Sequence, residues 1–504
     1  MGFPDELSWA HPILQEWFVT RFGTPTEPQV LGWPKILEGK PTLISAPTGS
    51  GKTLAAFLVC IDRLFRRSLE GTLQPTTQVV YVSPLKALSN DIQKNLEEPL
   101  RAIQELALER GYLSQGIRTA VRTGDTMQKE RAAMLRNPPN ILVTTPESLY
   151  ILLTSKRSRE HLGRVETVIV DEIHAVADDK RGAHLALSLE RLDALVCGEN
   201  QLSPGVFIAG LMKPPQRIGL SATQNPIELV AEFLTGSAPH REPATVVQVG
   251  RKREMDVAIE VPSDELTSVT SQVMWEEIFD KLAAYTETHR ATLVFVNTRK
   301  LVERVAFELA ERIGTENVGA HHGSLSRMLR LDAERHLKRG EIKILVATAS
   351  LELGIDIGNV DLVCQISTTR SIAITLQRVG RAGHWRGAIP KGRLFATTRD
   401  DLLEQAALVR KLRNGELDRL EIPPQPLDVL MQQIVAACGA EPWHKRSLYE
   451  VLRRAYPYRN LTWEQYGEIT EILANGVESS RGRYGAYLLQ DGSTANSIPV
   501  AVRV

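Results

Sequence analysis

The sequence has little of what would tie it to a membrane, an oxidising compartment or a structural metal. Its four cysteines (Cys60, Cys197, Cys364 and Cys438) lie far apart, with no paired spacing for zinc, iron–sulfur or dithiol chemistry. That usage suits a reducing compartment. No apolar run is long enough to cross a bilayer, and no basic segment followed by an apolar stretch opens the chain. A cytoplasmic location without a membrane partner is therefore expected. Net charge is also lacking: 60 Lys and Arg balance 60 Asp and Glu, so a polyanion would have to be held by local patches. Short-period repeats and low-complexity segments are absent as well. What remains, 504 residues with 43% hydrophobic and 24% charged, is the composition of a globular chain of roughly two to four domains.

The chain is organised around Pro41 to Thr53. A short apolar strand runs into Ala46-Pro47-Thr48-Gly49-Ser50-Gly51-Lys52-Thr53, and helix-forming residues follow. This is the setting of a phosphate loop. Gly49 and Gly51 let the backbone curl so that amides point at phosphates, and the helix N-terminus adds its positive end. Lys52 can reach the β- and γ-phosphates of a nucleotide, and the Thr53 hydroxyl can take a place on Mg²⁺. Ala46 stands where the strict pattern has glycine, so the loop alone also fits a surface turn before an ordinary helix.

The downstream partners decide between these readings. Thr167-Val168-Ile169-Val170 is a hydrophobic strand that delivers Asp171 and Glu172 at its carboxyl end, followed by Ile173 and His174. Asp171 can hold Mg²⁺ through water and Glu172 can polarise the attacking water. Upstream, Phe22 precedes Gln29, whose amide suits the adenine edge while an aromatic stacks on the ring. Further strands are expected at Gln78–Val82, Arg118–Arg122, Ile141–Thr144 and Ile218–Leu220, the last followed by Ser221-Ala222-Thr223 as a possible relay. Strands alternating with helices imply a parallel sheet covered on both faces, with ligands at the strands' carboxyl ends.

A boundary is expected near Gly236 to Arg253, where Pro, Gly and charge cluster. A second alternating unit begins after Ser263, with strands at Thr292–Val296, Ile342–Ala347, Leu362–Ile366 and Arg393–Ala396. It has no phosphate loop but carries Gln377-Arg378-Val379-Gly380-Arg381-Ala382-Gly383-His384, whose arginines can act as fingers on the first domain's nucleotide. His321-His322 lacks metal-ligand company and reads as a turn or strand edge. Beyond Ile422, three helices and a terminal strand or hairpin (Arg481–Leu489) fit a winged helix, or else a helical cap on the second domain.

Taken in order, these motifs resemble superfamily 2 helicases, and within them the large helicase-related (Lhr) family. The resemblance implies two tandem RecA-like parallel-sheet domains, residues 1–240 and 250–420, followed by a winged-helix domain over 421–495. It implies that Gln29 reads adenine and that Thr48, Gly49, Ser50, Gly51, Lys52 and Thr53 cradle ATP and Mg²⁺. Asp171 and Glu172 would be the acidic pair, Asp356 would contact the ribose, and Gln377 and Arg381 would complete the ATP site. Ser83, Lys86, Thr145, Pro146, Thr298 and Thr348 fall where such proteins touch the nucleic-acid backbone. His384 replaces an arginine common at the end of the last motif, which leaves a second finger open between Arg378 and none. The family's large C-terminal domain is not among these 504 residues.

The function so implied is an ATP-driven 3′-to-5′ translocase and helicase on single-stranded DNA, or on a DNA or RNA:DNA duplex with a 3′ tail, serving DNA repair. An RNA-remodelling ATPase that opens short duplexes is the alternative. A pure ATP-gated clamp would have no use for Glu172.

Overall fold

The computed structural model describes residues 4–47, 49–84, 86–199, 213–239, 241–250, 254–352, 358–383, 389–479, 482–484 and 486–488, with backbone alone for 86–95, 327, 477–479 and 482–484. Two compact units divide the chain: Met1–Val249 with Leu420–Val504, and Gly250–Arg419.

The first unit is built on seven parallel strands: β1 (Thr42–Ser45), β2 (Val79–Val82), β3 (Thr119–Arg122), β4 (Ile141–Thr144), β5 (Thr167–Val170), β6 (Gln216–Ser221) and β7 (Thr245–Gln248). Their order is β3-β4-β2-β5-β6-β1-β7. Strands β1, β2, β4 and β5 are buried along their whole length, as expected when helices cover both faces of a parallel sheet and its strands are mostly apolar. The expected linker at 236–253 thus contains a strand. Thr245-Val246-Val247-Gln248 pairs with the phosphate-loop strand, and its partly exposed edge position weakened its hydrophobic signal.

The second unit has six parallel strands: β8 (Asp256–Glu260), β9 (Thr292–Phe295), β10 (Val318–His321), β11 (Ile344–Ala347), β12 (Leu362–Ile366) and β13 (Lys391–Phe395), ordered β10-β11-β9-β12-β13-β8. It begins before Ser263, because β8 already pairs with β13. Its two edge strands, β8 and β10, went unrecognised in the sequence. Each mixes polar or small residues into a half-buried strand.

The third segment forms helices Leu427–Ala440, Lys445–Leu452 and Trp463–Asn475 and an antiparallel pair, β14 (Val477–Ser479) and β15 (Gly482–Tyr484). This is a winged-helix domain, and it shares one core with the first sheet. Leu430, Ile434, Ala437, Leu448 and Leu452 join Leu149, Leu185, Leu189 and Leu192 in a single buried cluster. Burying each such leucine or isoleucine contributes about 2 kcal/mol, so the contact is a core and not a loose dock. Buried polar groups seal it. Arg191 Nη1 donates to Gln433 Oε1 at 2.7 Å, and Gln433 Nε2 donates to Ser188 Oγ and His184 O at 3.1 and 3.2 Å.

Candidate active site

The phosphate loop leaves β1 beside β6, where Ala46 N–H donates to Ser221 O at 3.0 Å. Gly49 and Gly51 have φ of 80° and 85°. A side chain at Gly51 would be strained and would also sit 2.7 Å from Gln29 Nε2. Gly51 caps the Lys52–Leu69 helix, so Lys52 and Thr53 open its first turn. Lys52 is 5% exposed; its Nζ lies 3.4 Å from Ala46 O and 3.5 Å from Glu172 Oε1. Ser50 Oγ is buried and has no hydrogen-bond partner. A loop with left-handed glycines, a buried cation and an unsatisfied hydroxyl fits the polyphosphate of a nucleotide. Thr48 lies outside the described residues.

Asp171 and Glu172 follow β5, with Asp171 N–H donating to Val82 O at 2.9 Å. Both carboxylates are nearly buried, at 3% and 5% exposure. Burial, reinforced by Glu172, pushes the Asp171 carboxyl up to about 6. A carboxylate so destabilised fits a divalent cation, which would relieve both causes. Glu172 has φ of 45°, a strained backbone for a residue that carries a Cβ, and such strain clusters at functional sites. His174 Nε2 sits 3.5 Å from Glu172 Oε2, and its Nδ1 accepts from Ala222 N–H at 3.3 Å, with Ser221 Oγ at 3.2 Å. Burial lowers this imidazole to about 4, so it is neutral and can accept. The acidic pair and the residues after β6 are therefore joined through one ring.

Gln29 is 3% exposed. Its Oε1 accepts from Thr26 N–H at 2.9 Å and its Nε2 donates to Gly51 O at 3.3 Å, so the amide also braces the loop. Phe22, 50% exposed, packs edge-on against Trp17 at 5.6 Å.

At the other half of the same sheet edge, Ser83 follows β2 and Thr145-Pro146 follows β4; all three are buried. Ser83 N–H donates to Thr144 O at 2.9 Å, and Thr145 caps the Pro146–Thr154 helix by accepting from Ser148 N–H. Lys86 opens the Lys86–Glu109 helix, but its side chain lies outside the described residues. The strand order separates these positions, on β4 and β2, from the phosphate loop on β1.

The second unit repeats the arrangement. Thr298 follows β9 and Thr348 follows β11, neighbours in the sheet. Thr298 is exposed and caps the Arg299–Ile313 helix, and Thr348 Oγ1 donates to Ser350 Oγ at 3.4 Å. Gln377 is half-buried on the Ile372–Val379 helix. Arg378 is committed within the unit. It donates to Glu352 Oε2 at 2.6 Å and Gln365 Oε1 at 2.5 Å, and stacks over Phe295 at 4.9 Å. Arg381, 3% exposed, donates to the Glu352 carbonyl from Nη2 at 3.1 Å. Asp356 and His384 lie outside the described residues. His321 ends edge strand β10, bonded to Ser350 and Glu334, and no metal-holding cluster occurs among the described residues. No described helix is long and apolar enough to cross a membrane.

Residues 26–230 match the DEAD/DEAH box helicase family and 275–386 the helicase conserved C-terminal domain. Residues 410–491 match the large helicase-related protein winged helix domain. The chain belongs to the large helicase-related family. This Lhr-family chain is 45% identical, over 94% of its length, to "ATP-dependent helicase Lhr-Core protein 2" of Thermococcus barophilus, and covers 54% of that protein. It is 44% identical to "ATP-dependent helicase Lhr-Core" of Methanothermobacter thermautotrophicus, with the same coverages of 94% and 54%. The solved structure of Mycobacterium smegmatis helicase Lhr bound to ssDNA and AMP-PNP superposes with a TM-score of 0.87 at 42% identity, covering 99% of this chain and 61% of that one. The chain thus spans about half the length of the curated relatives it matches.

One Lhr-chain residue beside the acidic pair escaped the sequence reading. Tyr81 lies inside an otherwise all-valine strand, and its hydroxyl donates to Asp171 Oδ2. The only signal was a phenol where burial asks for a hydrocarbon.

Proposed function

We propose that this chain hydrolyses ATP to move along single-stranded DNA, in the 3′-to-5′ direction and in the service of DNA repair. The observation that carries the ATPase reading is the buried pair of Lys52 and Glu172, 3.5 Å apart where the phosphate loop and the acidic strand end meet. The ssDNA in the Mycobacterium smegmatis Lhr structure supports DNA as the track, and direction and repair rest on the family resemblance.

In this reading Gln29 recognises the adenine edge and Phe22 offers a face for stacking. The amides from Gly49 to Lys52 and the Lys52 ammonium hold the β- and γ-phosphates. Bound Mg²⁺, held by the Thr53 hydroxyl and through water by Asp171, would neutralise charge on those phosphates. Glu172 orients and deprotonates the attacking water. Arg381 of the second unit neutralises charge developing on the transferred phosphoryl group, with Gln377 beside it, while Arg378 holds the helix that presents both. Asp356 takes the ribose. His174 relays the state of Glu172 to Ser221-Ala222. Ser83, Lys86, Thr145, Pro146, Thr298 and Thr348 grip the phosphodiester backbone from the strand ends of the two units. Such contacts make the motor tolerant of sequence.

The test is steady-state ATPase activity with single-stranded DNA, single-stranded RNA or no nucleic acid, followed by displacement assays on 3′- and 5′-tailed duplexes. Stimulation by DNA and unwinding of the 3′-tailed substrate are expected. Stimulation by RNA alone would replace this reading with an RNA-remodelling one.

A further inference from the structure

Strand β2 reads Val79-Val80-Tyr81-Val82 and is buried on both faces. Tyr81 is 0% exposed and lies opposite Ile169 of β5, two residues before Asp171. Its ring stacks on Phe57 of the phosphate-loop helix, with centroids 4.9 Å apart and planes inclined by 21°. The hydroxyl reaches past the end of β5 and donates to Asp171 Oδ2. The other carboxylate oxygen, Oδ1, accepts from Glu172 N–H at 2.9 Å.

A phenylalanine would fill this place and stack on Phe57 without burying a hydroxyl, which costs free energy unless it is bonded. The hydroxyl therefore answers to Asp171. Burial, and then the Asp171 charge, hold the phenol well above its ordinary range, so it stays a donor. One ring also ties the helix that begins with Lys52 to the carboxylate across the sheet.

We propose that Tyr81 is a positioning residue for the divalent cation of the nucleotide site, fixing the rotation of the Asp171 carboxylate from one side while the Glu172 amide fixes it from the other. The proposal rests on Asp171 being the metal-facing acid. With one donor on each oxygen, the carboxylate cannot turn about its last bond without losing a buried hydrogen bond. The lone pairs left over keep a constant direction toward the metal's water shell. Removing the hydroxyl frees that rotation and leaves the packing intact.

The experiment uses the whole chain and a fluorescent ADP analogue, titrated with Mg²⁺ or held in EDTA, for the wild type, Tyr81→Phe and Asp171→Asn. For Tyr81→Phe, affinity in EDTA is expected within about twofold of wild type. The Mg²⁺ concentration giving half of the metal-dependent gain in affinity should rise about tenfold, the scale of one hydrogen bond to a charged group. Turnover should fall at limiting Mg²⁺ and recover when Mg²⁺ is saturating. Asp171→Asn should lose most of the metal-dependent gain. If Asp171→Asn loses it while Tyr81→Phe titrates like wild type, the positioning role is overturned. A Tyr81→Phe chain weakened equally with and without Mg²⁺ would also overturn it, because that marks a packing role. If Asp171→Asn keeps the whole gain, the metal reading of Asp171 fails first, and the Tyr81 proposal with it.

Discussion

Lys52 Nζ and Glu172 Oε1 lie 3.5 Å apart, and both side chains are 6% exposed. The cation that would hold phosphate and the carboxylate that would activate water are thus placed by each other's charge. Glu172→Gln keeps the shape and removes the base. ATP binding should persist, while turnover falls by about a hundredfold or more. Nucleotide binding and steady-state hydrolysis, measured on the same preparation, check both halves; near-normal turnover would remove Glu172 from the reaction.

Arg378 and Arg381 are three residues apart but differently employed. Arg378 neutralises Glu352 inside the second unit, so Arg378→Ala should cost about 3 kcal/mol by stranding a buried carboxylate. Arg381 donates to the carbonyl of Glu352. Arg381→Ala should lower DNA-saturated turnover by roughly a thousandfold. Thermal midpoints and DNA-saturated turnover of the two variants check both expectations.

The Thr145 hydroxyl is already occupied. It accepts from Ser148 N–H and donates to Ser148 Oγ. Thr145→Ala should cost about 1 kcal/mol through the lost helix cap, and Thr145→Ser should restore it. If Thr145 also meets the nucleic-acid backbone, the alanine variant should bind single-stranded DNA more weakly to the same degree across sequences. A salt titration of binding by the wild type and both variants reads this.

Two buried groups beside the acidic pair respond to acid with opposite signs. The folded protein holds a proton on Asp171 up to about 6, against an ordinary 3.8, so Asp171 contributes stability as pH falls through that window. His174 is lowered to about 4 from an ordinary 6.5. Between those values the unfolded chain binds the proton and the folded one does not, so His174 loses stability as pH falls. In the wild type the two slopes offset each other between pH about 4 and about 6, where both windows overlap. Asp171→Asn should leave the His174 slope exposed, with its thermal midpoint dropping relative to wild type on acidification. His174→Asn should shift the other way, and midpoints taken in EDTA from pH 4 to 7 check both signs.

Gln433, on the winged helix's Leu427–Ala440 helix, is wholly buried against the first sheet's Lys180–Cys197 helix. Gln433→Ala leaves the Arg191 guanidinium without its 2.7 Å acceptor, a loss of about 2 kcal/mol. Proteolysis should then cut near residue 420 faster than in the wild type. Unchanged cleavage would mean the apolar core alone holds the winged helix in place.

The central strands were legible because a parallel strand buried on both faces is mostly apolar and β-branched or aromatic. Val79–Val82, Ile141–Thr144 and Thr167–Val170 are all of this kind. The loop after β1 was legible for a similar reason: glycines at 49 and 51, with φ of 80° and 85°, are demanded locally by a tight turn into a helix. Edge strands such as Thr245–Gln248 and Val318–His321 pair on one side and meet solvent on the other, so their sequences carry mixed signals. The sequence by itself thus determined two parallel-sheet units and a winged helix after them. Only tertiary structure decided that the winged helix shares a core with the first sheet, that Arg378 is spent on Glu352, and that Tyr81 reaches Asp171. Each of these depends on which side chains meet across more than 20 residues of chain, and no local pattern encodes a partner that distant.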